Sequence, residues 1–307
     1  MKFSFLSHVI STIFAPHKMK ELPVGKKRNK TKRAFTKETL GTGVETVRTS
    51  FLRDSALVFP DLYLEVYIVG DKTEEQAFAD MFIRSGCRRA DKPENADLVV
   101  FTGGVDVNPA LYGEERHSCT DVPDRERDQT DIAIYQICLE LGIPMFGVCR
   151  GMQLLHVLAG GKLYQDVDGH YGDHYMTLAR DNRVLNKISS VHHQMCMPND
   201  DIGMEILAYT HKSSERRLNI TSVENGCNRD IEAAWYPEIG AFAVQGHPEY
   251  AGYAAFTYWC LKRIEEFFIY NPEFDLIDRY RRMQPTLLAA RKKQRLEKLH
   301  EATKELN

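Results

Sequence analysis

Several features that would each have pointed to a function class are missing from this 307-residue chain. No run of eighteen apolar residues occurs, so no transmembrane helix is expected. No CxxC pair occurs either. The seven cysteines (87, 119, 138, 149, 196, 227 and 260) are odd in number and widely scattered. That pattern argues against a disulfide framework and for reduced thiols in a cytoplasm. A formal net charge of −3 offers no general attraction to nucleic acid, and no internal repeat is seen. What remains is ordinary soluble composition, 43% hydrophobic and 27% charged, enough for one large domain or two modest ones.

The charge is unevenly spread. Residues 1–50 carry eleven Lys and Arg against three acids, about +8, which leaves about −11 for the rest. Phe3, Leu6, Ile10, Ile13 and Phe14 lie near helical spacing, and no acid precedes Glu21. Ile13 and Ala15 make a poor small-x-small cleavage site. The expectation is a helix that docks on its own domain or a partner, followed by a basic linker at Lys26–Arg33. An organellar presequence or a helix lying on a membrane surface is the alternative. The domain reading is therefore a basic arm over 1–50, a body over 51–272, and a charged helical extension over 273–307.

The body alternates strand and helix patterns. Strands are expected at 64–69 and 97–102, and helices at 74–84 and 127–141, the latter with Ile132, Tyr135, Ile137 and Leu139 inward. Continuous apolar strands between helices argue for a doubly wound α/β sheet. The second half is less regular, with short β-like runs at 204–209, 231–235 and 240–244 and a long helix over 253–268.

The most informative stretch is Ile143–Leu155. An apolar run of strand length reaches Gly147, then Cys149, then Gly151 and a helical pattern that stops at Gly160-Gly161. Strand, sharp turn and helix lift the Cys149 side chain out of the sheet at a helix N-terminus, the nucleophile-elbow arrangement. A cysteine nucleophile needs a base, and the base an orienting group. In Gly246-His247-Pro248-Glu249 the proline keeps His247 extended, so His247 and Glu249 point to one side. Both follow a strand's C-terminal end, where α/β sheets bind ligands. Oxyanion donors are expected from the backbone N–H of Arg150 and from Gly103-Gly104.

These segments together resemble the class I (triad) glutamine amidotransferase superfamily over roughly residues 60–270. The resemblance implies a flavodoxin-like doubly wound sheet, with Cys149 as nucleophile, His247 as base and Glu249 as orienter. It also implies a γ-glutamyl thioester on the cysteine and no cofactor. Gly103 to Gly113, Arg127-Asp128, Gly160 to Asp166 and His192-His193-Gln194 are similar to the γ-glutamyl-GABA hydrolase branch. Such hydrolases cleave γ-glutamyl amides without a fused synthetase, and none is seen here. Three readings follow. The first is hydrolysis of a small γ-glutamyl substrate. The second is a glutaminase subunit passing ammonia to a separate synthetase partner. The third is a non-catalytic relative, which would show a broken triad. A homo-oligomer is left open.

Two positions depart from the family. Asp131 stands where a glutamate is usual. Gly246 stands where the hydrolase branch often has a bulky aromatic, so a more open pocket is expected. Gln153, one turn past Cys149, is read as binding substrate or bracing the oxyanion loop. His193 and Gln194 are read as positioning the substrate's amino-acid end or bonding the nearby core. His170 and His174, four apart, would share a zinc ion only on a helix. Gly169 and Gly172 argue for a loop, so no metal is expected.

Overall fold

The computed structural model describes residues 58–219, 221–225 and 229–271. The expectations for the arm over 1–50 and the extension over 273–307 lie outside the described residues.

The first half follows the alternating pattern: β1 (Glu65–Val69), α1 (Lys72–Ile83), β2 (Arg88–Arg89), β3 (Leu98–Phe101), α2 (Arg125–Leu141), β4 (Met145–Val148) and α3 (Arg150–Leu158). Helix α1 starts where Asp71 accepts the amides of Thr73 and Glu74. Helix α2 starts at Asp124, which accepts the Arg127 amide, and stops at Gly142 in the left-handed region. Its inward face is Ile132, Ile134, Tyr135 and Cys138, whereas Leu139, expected inward, is exposed.

The second half is mostly strand: β5 (Leu163–Tyr164), β6 (Asp166–Val167), β7 (His174–Leu178), β8 (Val184–Ile188), β9 (Met195–Cys196), β10 (Glu205–Thr210), β11 (Glu215–Arg217), β12 (Val223–Asn225), β13 (Asp230–Tyr236) and β14 (Ala241–Val244). Helix α4 (Ala254–Ile264) follows, and a π-helical turn continues it to Ile269. The β7–β8 hairpin was not expected.

Nine strands form one sheet in the order β2-β1-β3-β4-β14-β13-β10-β7-β8. The pairs from β2 to β14 are parallel, and those from β14 to β8 are antiparallel. The parallel half has the flavodoxin-like order, as the sequence led us to expect. Alternate residues of its strands enter two separate cores. Val99, Phe101, Met145 and Ala243 pack with α2 and α3 on one face. Val100, Phe146, Val148 and Phe242 pack with α1 and α4 on the other. The result is a three-layer α/β domain. No helix among the described residues is long and apolar enough to cross a membrane.

Candidate active site

Strand β4 ends at Val148, and Cys149 turns the chain into α3 with φ 54° and ψ −112°. A non-glycine residue held at positive φ is strained, and the flanking glycines let the strain persist. A Cβ at Gly151 would lie 2.1 Å from the Phe101 carbonyl oxygen. One at Gly147 would lie 2.8 Å from the Gly151 backbone. Helix α3 can therefore lie tight against β3 and β4 only without those side chains.

His247 follows β14, the parallel neighbour of β4, so its side chain emerges beside Cys149. Its ring hydrogen-bonds Cys149, and its Nδ1 lies 2.7 Å from Glu249 Oε1. Tyr250 stacks on the same ring, centroids 4.5 Å apart. The His247 amide donates to Ser189 Oγ at 2.8 Å, which fixes the segment from behind. Burial alone would lower the basicity of His247, but hydrogen bonds to Cys149 and Glu249 and their charges push its pKa up to about 10. By contrast, burial pushes Cys87 up to about 11 and Cys138 up to about 12, which leaves them inert thiols.

Gly103 and Gly104 leave β3 directly opposite. A Cβ at Gly103 would lie 2.9 Å from His247 Cε1 and 3.7 Å from Cys149 Cβ. Gly104 has φ 138°, with Arg150 Cδ 3.2 Å from where its Cβ would be. A buried ion network supports this loop. Arg150 donates to Asp128 at 2.6 Å and also pairs with Asp131. Arg127 Nε donates to Asp131 at 2.9 Å, and its NH2 reaches the carbonyl of Gly103 at 3.5 Å and that of Val69 at 3.3 Å. Asp131 thus joins two arginines. Burial raises the Asp128 carboxyl, against the pull of Arg150.

Of the residues read from the sequence, Gln153 makes a bracing contact, and the expectation for Gly246 is corrected. Gln153 faces inward, donating its amide nitrogen to the Gln194 carbonyl at 3.0 Å and to Gln245 Oε1 at 3.3 Å. That nitrogen is committed to bracing the 194 and 245 segments. Gly246 faces inward too. A Cβ there would lie 3.0 Å from the Ser189 carbonyl oxygen and 3.3 Å from Phe256, so its small size serves packing and opens no pocket.

His193 bridges two carboxylates, with Nε2 3.0 Å from Asp106 and Nδ1 3.3 Å from Asp166. The hydrogen bond to Asp106 raises its pKa above the usual histidine value despite burial. The buried Gln194 side chain has no hydrogen-bond partner at either amide atom. The sequence reading missed Glu74, whose Oε2 accepts from Thr102 Oγ1 at 2.6 Å while Oε1 sits beside Gly103. It also missed Ser189. The Glu74 helix was visible in the sequence, but nothing local showed which face would meet β3.

The family described as peptidase C26 matches residues 90–249, more than half of the chain. The glutamine amidotransferase-like protein YvdE of Lactococcus lactis subsp. lactis is 30% identical over 193 residues, 53% of this chain and 79% of that protein. A carbamoyl phosphate synthase small chain of Pectobacterium atrosepticum is 31% identical over 111 residues, 36% of this chain and 25% of that one. A crystal structure of a glutamine amidotransferase from Thermotoga maritima superposes with a TM-score of 0.42 at 16% identity, covering 72% of this chain and 92% of that one. A cysteine on a strained elbow, a paired histidine and a family match that spans both place the protein: the chain belongs to the peptidase C26 family, within the class I glutamine amidotransferase superfamily of amide-cleaving proteins.

Proposed function

We propose that this protein hydrolyses γ-glutamyl amides through a thioester on Cys149. The observation that carries the reading is the chain of contacts from Cys149 to His247 to Glu249 beside Gly103-Gly104. Cys149 Sγ attacks the amide carbonyl of a γ-glutamyl substrate, and His247 holds the thiol's proton. The oxyanion is received by backbone N–H groups at Gly103-Gly104 and Arg150. His247 then gives its proton to the leaving nitrogen, and the amine departs. Water, deprotonated by His247, attacks the thioester, releasing glutamate and restoring the thiol. Glu249 holds the ring in place and stabilises the imidazolium. Gln194, with both amide atoms free, is offered as the group that takes the substrate's amino-acid end, flanked by His193. The catalytic unit is residues 51–272, with 1–50 and 273–307 as attachments. Reduced thiols fit a cytoplasmic setting.

A second reading is favoured by the similarity to a carbamoyl phosphate synthase small chain. On that reading the substrate is glutamine, and ammonia passes to a separate synthetase. A panel of glutamine, γ-glutamyl-GABA, γ-glutamyl-putrescine and folyl-polyglutamate separates the two. Turnover of a γ-glutamyl amine with glutamine left intact is the expected result. Weak glutaminase activity raised many-fold by a co-purifying synthetase would favour the second reading. No glutamate release from any of the four would overturn both.

A further inference from the structure

Behind the active site lies a second cluster of ionisable side chains, for which the reaction just described has no use. It gathers His170 from the loop before β7, His174 at the start of β7, and Glu232 from β13. The spacing of the two histidines suggested that only a helix could join them. Instead the loop and strand turn both rings inward, where a third residue from a distant strand meets them. His174 Nε2 lies 2.7 Å from Glu232 Oε1, and His170 Nδ1 lies 3.7 Å from the same oxygen. One ligand atom from each of the three residues falls within 4.8 Å of the others. All three are buried, with no more than 3% exposed.

We propose that His170, His174 and Glu232 form a structural zinc site that ties the β7–β8 hairpin to strand β13. Two imidazoles and one carboxylate are a set of three protein ligands that zinc takes, at about 2.0–2.2 Å from each donor, with a water in the fourth position. In a tetrahedron that places the donors about 3.3 Å apart, inside the spread the three atoms span.

The groups around the three residues fit the assignment. A metal-bound histidine ordinarily offers its second nitrogen to a carboxylate or carbonyl, which fixes the ring. His170 Nε2 lies 3.3 Å from Asp230 Oδ2. Asp230 is itself held by the amides of Lys212 and Ser213 at 2.8 Å and by Arg216 at 2.7 Å. That leaves His170 Nδ1 turned to Glu232. Several buried polar atoms here are without a hydrogen bond: both ring nitrogens of His170, Nδ1 of His174, Glu232 Oε2, and Nε2 of His192, whose ring packs 4.6 Å from that of His170. Buried polar atoms are rarely left so, and a cation held between the rings and Glu232 accounts for His170 Nδ1, which faces Glu232 Oε1.

The site stands where it can stabilise the catalytic edge. The N-terminal end of β13 lies beside the C-terminal end of β14, and the Gln245 amide donates to the Glu232 carbonyl at 2.8 Å. Ser190 Oγ donates to the His170 carbonyl at 2.6 Å, next to the Ser189 that holds His247. Because the ligands are buried, zinc would enter as the chain folds.

The test uses full-length protein carrying Cys149→Ala, which removes the thiol as a competing zinc ligand. It is expressed in zinc-supplemented medium, dialysed, and assayed for metal by inductively coupled plasma mass spectrometry. About one zinc per chain is expected, falling at least about tenfold in Glu232→Gln and in His174→Asn. If those variants do not fold, the Cys149→Ala protein alone decides. Refolded with zinc, it should melt several degrees above the same protein refolded with chelator. Metal-free protein, a zinc content unchanged by Glu232→Gln, or equal melting with and without zinc would each overturn the proposal.

Discussion

Strands β3, β4 and β14 in the parallel half of the sheet are buried along their whole length and contain no ionisable residue. Strand β13, in the antiparallel half, is equally buried but carries Asp230 and Glu232. The parallel half is held by apolar burial into two cores. The antiparallel half is held at its active-site end by directed polar contacts, with Arg216 on Asp230 and His174 on Glu232. Burial is non-directional, so its sequence signal is a continuous apolar run. A polar cluster has no such local signal, because its members come from separate segments. Cys149 and His247 arise at the ends of the paired parallel strands β4 and β14, and Ser189, just past the β7–β8 hairpin, holds the His247 amide from the antiparallel side.

The sharpest way to separate the halves is to remove one reactive atom and leave the fold alone. Cys149→Ala should lower kcat by about 10⁴-fold or more while melting remains cooperative, read by glutamate release and by calorimetry. Breaking the polar half comes next. Asp230→Ala removes the carboxylate that balances the buried Arg216 and should cost about 3–5 kcal/mol in urea unfolding. The paired replacement of Asp230 by Leu and Arg216 by Met should recover only the part due to the uncompensated charge, because the amides of Lys212 and Ser213 still lose their acceptor.

Glu249→Gln has a smaller effect and a distinct signature. The folded pKa of His247, near 10, lies above its ordinary value of about 6.5. Its contribution to stability is therefore fully present below about pH 6.5 and is lost as pH rises through about 10. Glu249 is one of the groups that raise it, so Glu249→Gln should move the alkaline limb of kcat/KM to lower pH, with a loss of about 10²-fold. The smallest effect is expected at the pair of exposed Arg88 and half-buried Glu65 near the parallel edge. Arg88→Ala should leave Tm within about 2 °C.

The same contrast explains what the sequence could and could not show. The elbow was legible because Gly147, Cys149 and Gly151 are close in the chain and the two glycines each have a steric reason to be there. The His247-Pro248-Glu249 segment was legible because proline restricts its neighbour. The arginine and aspartate network behind Gly103-Gly104 was half visible, as Arg127-Asp128, but the i to i+4 pairing to Asp131 and the closure through Arg150 needed the third dimension. Gln153 was read from its helical spacing to Cys149, whereas its amide turns to Gln194 and Gln245, both far along the chain. The inward meeting of His170, His174 and Glu232 had no local pattern, since loop, strand and distant strand share no period.

Trapping the acyl-enzyme tests the central claim most directly. The protein is mixed with a turned-over γ-glutamyl amide, quenched in acid within its first turnovers, digested and mapped by mass spectrometry. A single glutamyl group on the peptide carrying Cys149 is the predicted result, absent in Cys149→Ala. Steady turnover that survives Cys149→Ala, or a glutamyl group carried by any other residue, would contradict it.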